Sequence, residues 1–254
     1  ALTNNVLTVT SSKITGAHDE IKAALQLNTP ASGTPVSATG LSTIKADISG
    51  NPTHTQLKAV LALTSGVVKA TPAATGLGDY VDATTGLSLV GTGNELTIDV
   101  NTNAEMSAAH IKTLDASTTG KVTLSKVGGN KGIKGSIADL KDIFASSNLT
   151  TPGIDVKNPK LNIDEGVYSA TAGVISGGTI QASDLKALDE ATTGEITISD
   201  YVIEVSGTFA DIEAVVKADG SGIKADELVN RATVDAGKDN EVPSIQLTVT
   251  DPIT

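Results

Sequence analysis

The chain contains one segment twice, and both copies have the pattern of a helix, a turn and a strand. The first copy is Ser107–Lys126, SAAHIKTLDASTTGKVTLSK, and the second begins 74 residues later at Gln181–Asp200, QASDLKALDEATTGEITISD. Nine of the 20 aligned positions are identical, including a Thr-Thr-Gly sequence that precedes alternating apolar and polar residues. Because internal self-similarity is typical of repeat architectures, the segment predicts a chain built from similar small units.

Other parts of the chain show the same order of elements. Apolar residues at helical spacing, and alternation at strand spacing, predict helices at Gly16–Leu27, Thr53–Leu63, Gly135–Ser146, Gly207–Lys217 and Lys224–Arg231, and strands at Val6–Thr10, Val67–Val68, Glu95–Val100 and Ser244–Thr250. Asp79–Gly86, DYVDATTG, is interpreted as a truncated copy of the repeated segment, with Leu87–Val90 as its strand. Thr150–Gly153 is expected to take the position of the Thr-Thr-Gly turn.

Helices that lie between strands favour parallel pairing, because a crossover must carry the chain back before the next strand can begin. The predicted fold is therefore an α/β repeat: an elongated, solenoid-like array of strand, turn and short helix units with a stacked, largely parallel β-sheet. Tandem β-sandwich-like modules are the alternative, and they predict more strands and fewer helices. One continuous array is expected over residues 1–254, in approximate units 1–66, 67–100, 101–153, 154–200 and 201–254.

Composition narrows the kind of core and the kind of partner. Two Phe, three Tyr and no Trp favour thin layers of aliphatic residues, and the absence of Cys excludes disulfides and thiolate metal ligands. The net charge of −11 and a single arginine, Arg231, disfavour nucleic acid and anionic membrane surfaces as partners. No apolar run approaches the roughly 18 residues that a bilayer span needs, so no membrane insertion is expected.

Three stretches resemble repeats found in very large surface and secreted proteins of cyanobacteria and proteobacteria. They are LDASTTG at 114–120, LDEATTG at 188–194 and LVGTGNELTIDV at 89–100. In those proteins, units of the form AA-x-hydrophobic-x-x-L-x-x-x-TTG-strand are iterated many times, and the resemblance covers most of residues 77–220. It implies an extracellular or cell-surface location and a structural or adhesive role, and it implies no catalytic residues.

Candidate chemistry is sparse in this sequence. His18, His54 and His110 each lie near the start of a predicted helix on its polar side, where we expect solvent-exposed side chains that do not converge on a metal. No nucleophile elbow or phosphate-binding loop occurs, and the glycine-rich stretches read as turns. We therefore expect neither an enzyme nor a bound cofactor.

Calcium is the most credible ligand, because hard oxygen donors cluster at the predicted turns. The candidate ligands are Asp235, Asp239, Asn240 and Glu241, with further acidic residues at Asp155, Asp164, Glu165, Asp189 and Glu190. No known calcium-loop motif is present, however. The alternative is that these acidic residues keep the surface soluble and protect sheet edges.

These observations favour a structural or adhesive building block of a filament, sheath or surface layer. Its expected partners are copies of itself or neighbouring repeats of the same protein, added end to end by strand pairing. The edges expected to pair are Val6 and Val9 in the first strand and Ile245, Leu247 and Val249 in the last. A calcium-dependent ligand-binding module of a secreted adhesin is the alternative function.

Overall fold

A computed structural model describes residues 7–8, 11–28, 38–102, 104–127, 132–147, 149–150, 160–164, 167–169, 174–176, 178–192, 194–198, 204–216 and 245–251. The chain divides into two compact units. The first unit comprises Ala1–Thr102, Thr113–Ser125 and Ser147–Pro152, and the second comprises Asn103–Lys112, Lys126–Ser146 and Gly153–Thr254. Each unit therefore combines segments that are far apart in the sequence.

The described residues form six α-helices, all of them within predicted helical segments. Thr53 and Ser136 cap two of them, since their side chains accept hydrogen bonds from the backbone amides of Gln56 and Asp139. The predicted helix at Lys224–Arg231 lies outside the described residues. The six helices are α1 His18–Leu25, α2 His54–Leu61, α3 Ala108–Ser117, α4 Ile137–Ala145, α5 Ala182–Ala191 and α6 Phe209–Val216.

The strands are short, and every described pair of strands except one is parallel. The predicted α/β class with largely parallel pairing is thereby confirmed, whereas the sheets of β-sandwiches are antiparallel. The strands are β1 Leu7–Thr8, β2 Lys13–Gly16, β3 Ala38–Thr39, β4 Lys45–Ile48, β5 Val68–Ala70, β6 Glu95–Leu96, β7 Ile98–Thr102, β8 Met106–Ser107, β9 Val122–Val127, β10 Ile133–Gly135, β11 Leu149–Thr150, β12 Leu161–Ile163, β13 Val167–Ser169, β14 Val174–Ser176, β15 Thr179–Gln181, β16 Ile196–Ile198, β17 Glu204–Gly207 and β18 Gln246–Val249.

Within each parallel sheet, neighbouring strands follow one another in chain order. The first unit contains the sheets β2-β4-β5-β6, β7-β9-β11 and β1-β3, and the second contains β8-β10-β12-β16, β15-β17-β18 and the antiparallel hairpin β13-β14. Most of the connections carry a helix: α1 lies between β2 and β4, α4 between β10 and β12, and α6 between β17 and β18. These helices are the crossovers that parallel pairing requires.

The core consists of aliphatic residues in register. Met106, Ile133, Leu161 and Ile196 are aligned across β8, β10, β12 and β16, and each is at most 2% exposed. Each helix adds a first fully or nearly buried residue at the same position of its sequence pattern: Ile21, Leu57, Ile111, Leu140, Leu185 and Ile212. Side chains of similar, modest size fill these layers, which explains how the chain packs with so few aromatic residues.

The prediction that Asp79–Gly86 copies the repeated segment is wrong. Asp82 Oδ1 accepts hydrogen bonds from the backbone amides of Thr84 (2.9 Å) and Thr85 (2.7 Å), which closes a local turn in place of a helix. Gly86 follows with a φ of +67°, and the chain returns through an antiparallel bridge between Val81 and Ser88, so the expected strand at 87–90 is reduced to this bridge.

The prediction for Thr150–Gly153 is also wrong where it can be compared. Thr150 lies in β11, paired with Thr123 of β9, and not in a turn. Thr151–Gly153 lie outside the described residues. The Pro in Thr-Thr-Pro-Gly distinguishes this stretch from Thr-Thr-Gly, and it restricts the preceding residue to extended conformations.

Candidate functional site

The expected calcium ligands are not placed by the structure: Asp235, Asp239, Asn240 and Glu241 lie outside the described residues. Within the described ranges, no group of three or more acidic or histidine side chains is arranged to hold a metal ion. Asp164, one of the further acidic candidates, pairs instead with Lys134 at 3.1 Å. The calcium hypothesis therefore stays a prediction about residues 235–241.

The expected assembly edges are placed in part. Val6 and Val9 lie outside the described residues, although β1 between them pairs with β3. Ile245 is only 7% exposed and belongs to the core, whereas Leu247 and Val249 on β18 are 40% and 41% exposed. The C-terminal edge thus presents two of the three residues that the sequence singled out.

Thr118, the first threonine of the Thr-Thr-Gly sequence, joins two strand segments through its buried hydroxyl. Its Oγ1 accepts hydrogen bonds from the backbone amides of Leu96 (2.8 Å) and Gly120 (3.0 Å). The hydroxyl proton faces the carbonyl oxygens of Leu96 (2.9 Å) and Asn94 (3.0 Å). A single side chain, 4% exposed, therefore satisfies backbone groups more than 20 residues earlier in the chain.

The same contact recurs at Thr64, in a Thr-Ser-Gly sequence that follows α2. Its Oγ1 donates to the carbonyl oxygen of Ile44 (2.8 Å) and accepts from the amide of Gly66 (3.0 Å). Thr192 after α5 accepts from Gly194 at 3.0 Å and is 3% exposed. We call this arrangement, at Thr64–Gly66 and Thr118–Gly120, the hydroxyl joint.

The glycine of the hydroxyl joint is required by a close approach of backbone. A Cβ atom on Gly66 would lie 2.2 Å from the carbonyl oxygen of Ile44, and one on Gly120 would lie 2.3 Å from that of Leu96. Backbone cannot move aside as a flexible side chain can. The Thr and the Gly are therefore both determined by contact with an earlier strand segment, and the Thr-Ser/Thr-Gly spacing is the sequence signal for it.

A second recurring contact joins successive helices of the second unit. A lysine follows the first buried residue of one helix, and an aspartate precedes the first buried residue of the next. We call this set of ion pairs the helix ladder: Lys112 with Asp139 (3.0 Å) and Asp142 (2.5 Å), Lys141 with Asp184, and Lys186 with Asp211 (3.6 Å). Hydrogen bonds to Asp142 and Asp139 raise the pKa of Lys112.

The first unit contains a buried polar cluster around His54. Its side chain is only 17% exposed and meets the ring of Tyr80 edge to face, with ring centroids 5.5 Å apart. His54 Nδ1 lies 4.0 Å from Asp79 Oδ1, and Thr75 Oγ1 donates to the other oxygen of Asp79. The expectation of solvent-exposed histidines is therefore wrong for His54, and also for His18, whose side chain is 11% exposed.

Burial keeps the ring groups of this cluster neutral at pH 7. It lowers the pKa of His54; Asp79 opposes the shift and Lys58 adds to it. Burial also raises the pKa of Tyr80 to about 12, with smaller contributions from Asp79 and Asp99. His54 Nε2 is buried without a hydrogen-bond partner, so the hydroxyl–imidazole bond that activates a nucleophile is not formed at this nitrogen.

A shallow depression of about 410 Å³ lies beside the hydroxyl joint at Thr64. Leu61, Leu89 and Asn94 line it together with small turn residues, and Lys58 is its one charged group. Asn94 is held within the structure, because its Oδ1 accepts from the amide of Val68 (2.8 Å) and its Nδ2 donates to Val90 (2.9 Å). The depression offers few convergent polar groups for a ligand.

No protein-family model, curated protein or solved structure matches the chain. None of the helices in the described part of the chain has the length and apolar character that a bilayer span requires. The recurring contacts between successive segments are consequently the features from which a function can be argued.

Proposed function

We propose that the chain is a structural or adhesive repeat protein of a bacterial cell surface or extracellular layer, without catalytic activity. The observation that carries this proposal is how the residues common to both copies of the repeated segment are used. Thr118 and Gly120, retained as Thr192 and Gly194, contact backbone within the fold. Positions on the surface change freely, as in Lys121, which becomes Glu195. A duplicated active site would retain exposed polar residues instead.

Strand pairing supports a solenoid-like array as the architecture of this protein. Ala46 pairs with Val68, 22 residues on, and Ile133 pairs with Leu161, 28 residues on, so each parallel step takes about one helix, one turn and one strand. In repeat proteins, stability is a sum of contacts between neighbouring units. The hydroxyl joint and the helix ladder are contacts of this kind, and they leave the outer residues free to vary.

The extracellular location and the self-association are proposed on the same basis. An acidic chain without Cys, stabilised by contacts between neighbours, suits an exposed surface layer, and the resemblance to large bacterial surface proteins agrees with it. Copies of the chain, or neighbouring repeats of a longer protein, are the proposed partners. They add at strand edges, where unpaired backbone groups form a template for another strand.

Two measurements test this function. Antibody raised against the purified chain should label intact cells of the source organism as strongly as permeabilised cells; label confined to permeabilised cells would contradict the surface location. Sedimentation velocity over a wide concentration range, with negative-stain electron microscopy, should show assembly that increases with concentration. A chain that stays monomeric at its highest soluble concentration would exclude self-association.

A further inference from the structure

The apolar core is open at β18. Ile180, Val205 and Leu247 are aligned in register across β15, β17 and β18, and their exposed fractions are 2%, 0% and 40%. Residues in register on parallel strands point to the same face of a sheet, so Leu247 lies on the face that buries its two partners. Val249, two residues further on, is 41% exposed on that face. The described residues place no further strand beyond β18.

Phe209 extends the same exposed end onto α6, which contacts both β17 and β18. Phe209 is the first residue of its helix and is 60% exposed. The first residues of α3, α4 and α5 are Ala108, Ile137 and Ala182, which are 0%, 8% and 0% exposed. At α6 this helix position carries a large aromatic side chain that the described residues leave uncovered.

The backbone of β18 is also oriented for pairing. The amide of Thr250 donates to the carbonyl oxygen of Gly207 in β17 at 2.9 Å. Because amides alternate in direction along a strand, those of Leu247 and Val249 point to the opposite side. No described strand lies there. Apolar side chains and unpaired amides thus occur together at one edge.

We infer that Phe209, Leu247 and Val249 form an interface with a second copy of this chain, in which the two β18 strands pair antiparallel about a twofold axis. This inference rests on the self-association proposed above and specifies its surface. Among the described residues, large exposed apolar side chains occur at this end and at Leu87. The edge at β2 carries Lys13 instead, and Ile21 behind it is 2% exposed. The surface that best complements the apolar end is therefore another copy of itself, which gives a closed, twofold contact.

The test uses the full chain, with size-exclusion chromatography and light scattering over a range of concentrations. Wild type is expected to reach a dimer and go no further. Leu247→Asp should raise the dimer dissociation constant by about tenfold or more, because it buries an unpaired charge at the interface. Leu87→Asp, at a residue that is 66% exposed, is the matched control and should dimerise as wild type does. Phe209→Ser makes the same test from the helix, with circular dichroism to verify folding of each variant.

Cross-linking determines the geometry, because the chain has no cysteine of its own. Single variants Gln246→Cys and Thr248→Cys should form disulfide-linked dimers with themselves under mild oxidation. A disulfide that forms only when either is mixed with Lys13→Cys would show head-to-tail pairing and overturn the twofold contact, while self-association stands. A dimer unaffected by Leu247→Asp and Phe209→Ser would overturn this surface alone. A wild type that remains monomeric would overturn both the interface and the proposed self-association.

Discussion

The hydroxyl joint of the first unit and the helix ladder of the second make the same kind of connection by different means. Thr118 Oγ1 is buried and is surrounded by backbone amides and carbonyls of two segments. In the ladder, Lys141 and Asp184 pair with side chains that are 42% and 31% exposed. An unsatisfied buried amide costs about 1–3 kcal/mol, while an exposed ion pair contributes about 0–1 kcal/mol. The difference implies that the joint determines stability and that the ladder adds little.

The largest effect is expected at the glycine of the joint. Gly120→Ala places a Cβ atom 2.3 Å from the carbonyl oxygen of Leu96, and one of the two backbone segments must move. We expect a loss of about 3 kcal/mol in the free energy of unfolding, measured by urea denaturation. Gly78→Ala is the control, because nothing lies within 4 Å of the added atom and the residue is exposed. Equal effects of the two substitutions would contradict the proposed role of Gly120.

Thr118→Val tests the hydroxyl itself with little change in shape. The substitution leaves the amides of Leu96 and Gly120 without their acceptor inside the structure. The expected loss is about 2 kcal/mol, again from urea denaturation. Thr119→Val is the matched control: Thr119 is exposed, and its longer contact with Asn94 (3.4 Å) should be worth less than about 0.5 kcal/mol. If the two valine variants were equally stable, the buried hydroxyl would not be what joins the segments.

The joint also shows what could be predicted from the sequence. The repeated segment predicts helix, turn and strand at both copies, and the structure has α3 at Ala108–Ser117 and α5 at Ala182–Ala191, the same 74 residues apart. Periodicity suffices here because the buried face of each helix recurs at fixed spacing. Parallel pairing was likewise predictable, because helices separate the strands.

Other features depend on contacts that sequence spacing does not reveal. DYVDATTG contains Thr-Thr-Gly, yet Asp82 satisfies the turn amides locally and no helix forms. His54 has the position of a surface residue at the start of a helix, but η-type turn residues far along the chain, Asp79 and Tyr80, cover its ring. In the helix ladder, Lys141 and Asp184 are 43 residues apart, so the pairing emerges only once α4 and α5 pack together.

The His54 cluster extends the comparison to a buried group that can change its charge. Its pKa lies below the ordinary value of 6.5, so the unfolded chain binds a proton more readily than the folded one. Stability should therefore be fully present above pH 6.5 and fall as the pH drops below that value toward the lower folded pKa. His54→Gln should flatten this dependence in urea titrations between pH 8 and pH 5, while His110→Gln should leave it intact. An unchanged slope in His54→Gln would assign the pH dependence to other groups.

The smallest effect is expected in the helix ladder, and it should be sensitive to salt. Lys141→Gln removes the partner of Asp184, but both side chains are partly solvated, so the loss should not exceed about 1 kcal/mol and should shrink in 1 M salt as the charges are screened. Lys22→Gln on α1 is the control, because Lys22 follows the first buried residue of its helix in the same way and α2 offers the neutral Gln56 opposite that position. A loss in Lys141→Gln as large as in Thr118→Val, or one that persists in salt, would mean that the ladder and the joint contribute equally and that the exposed charges hold successive helices in place.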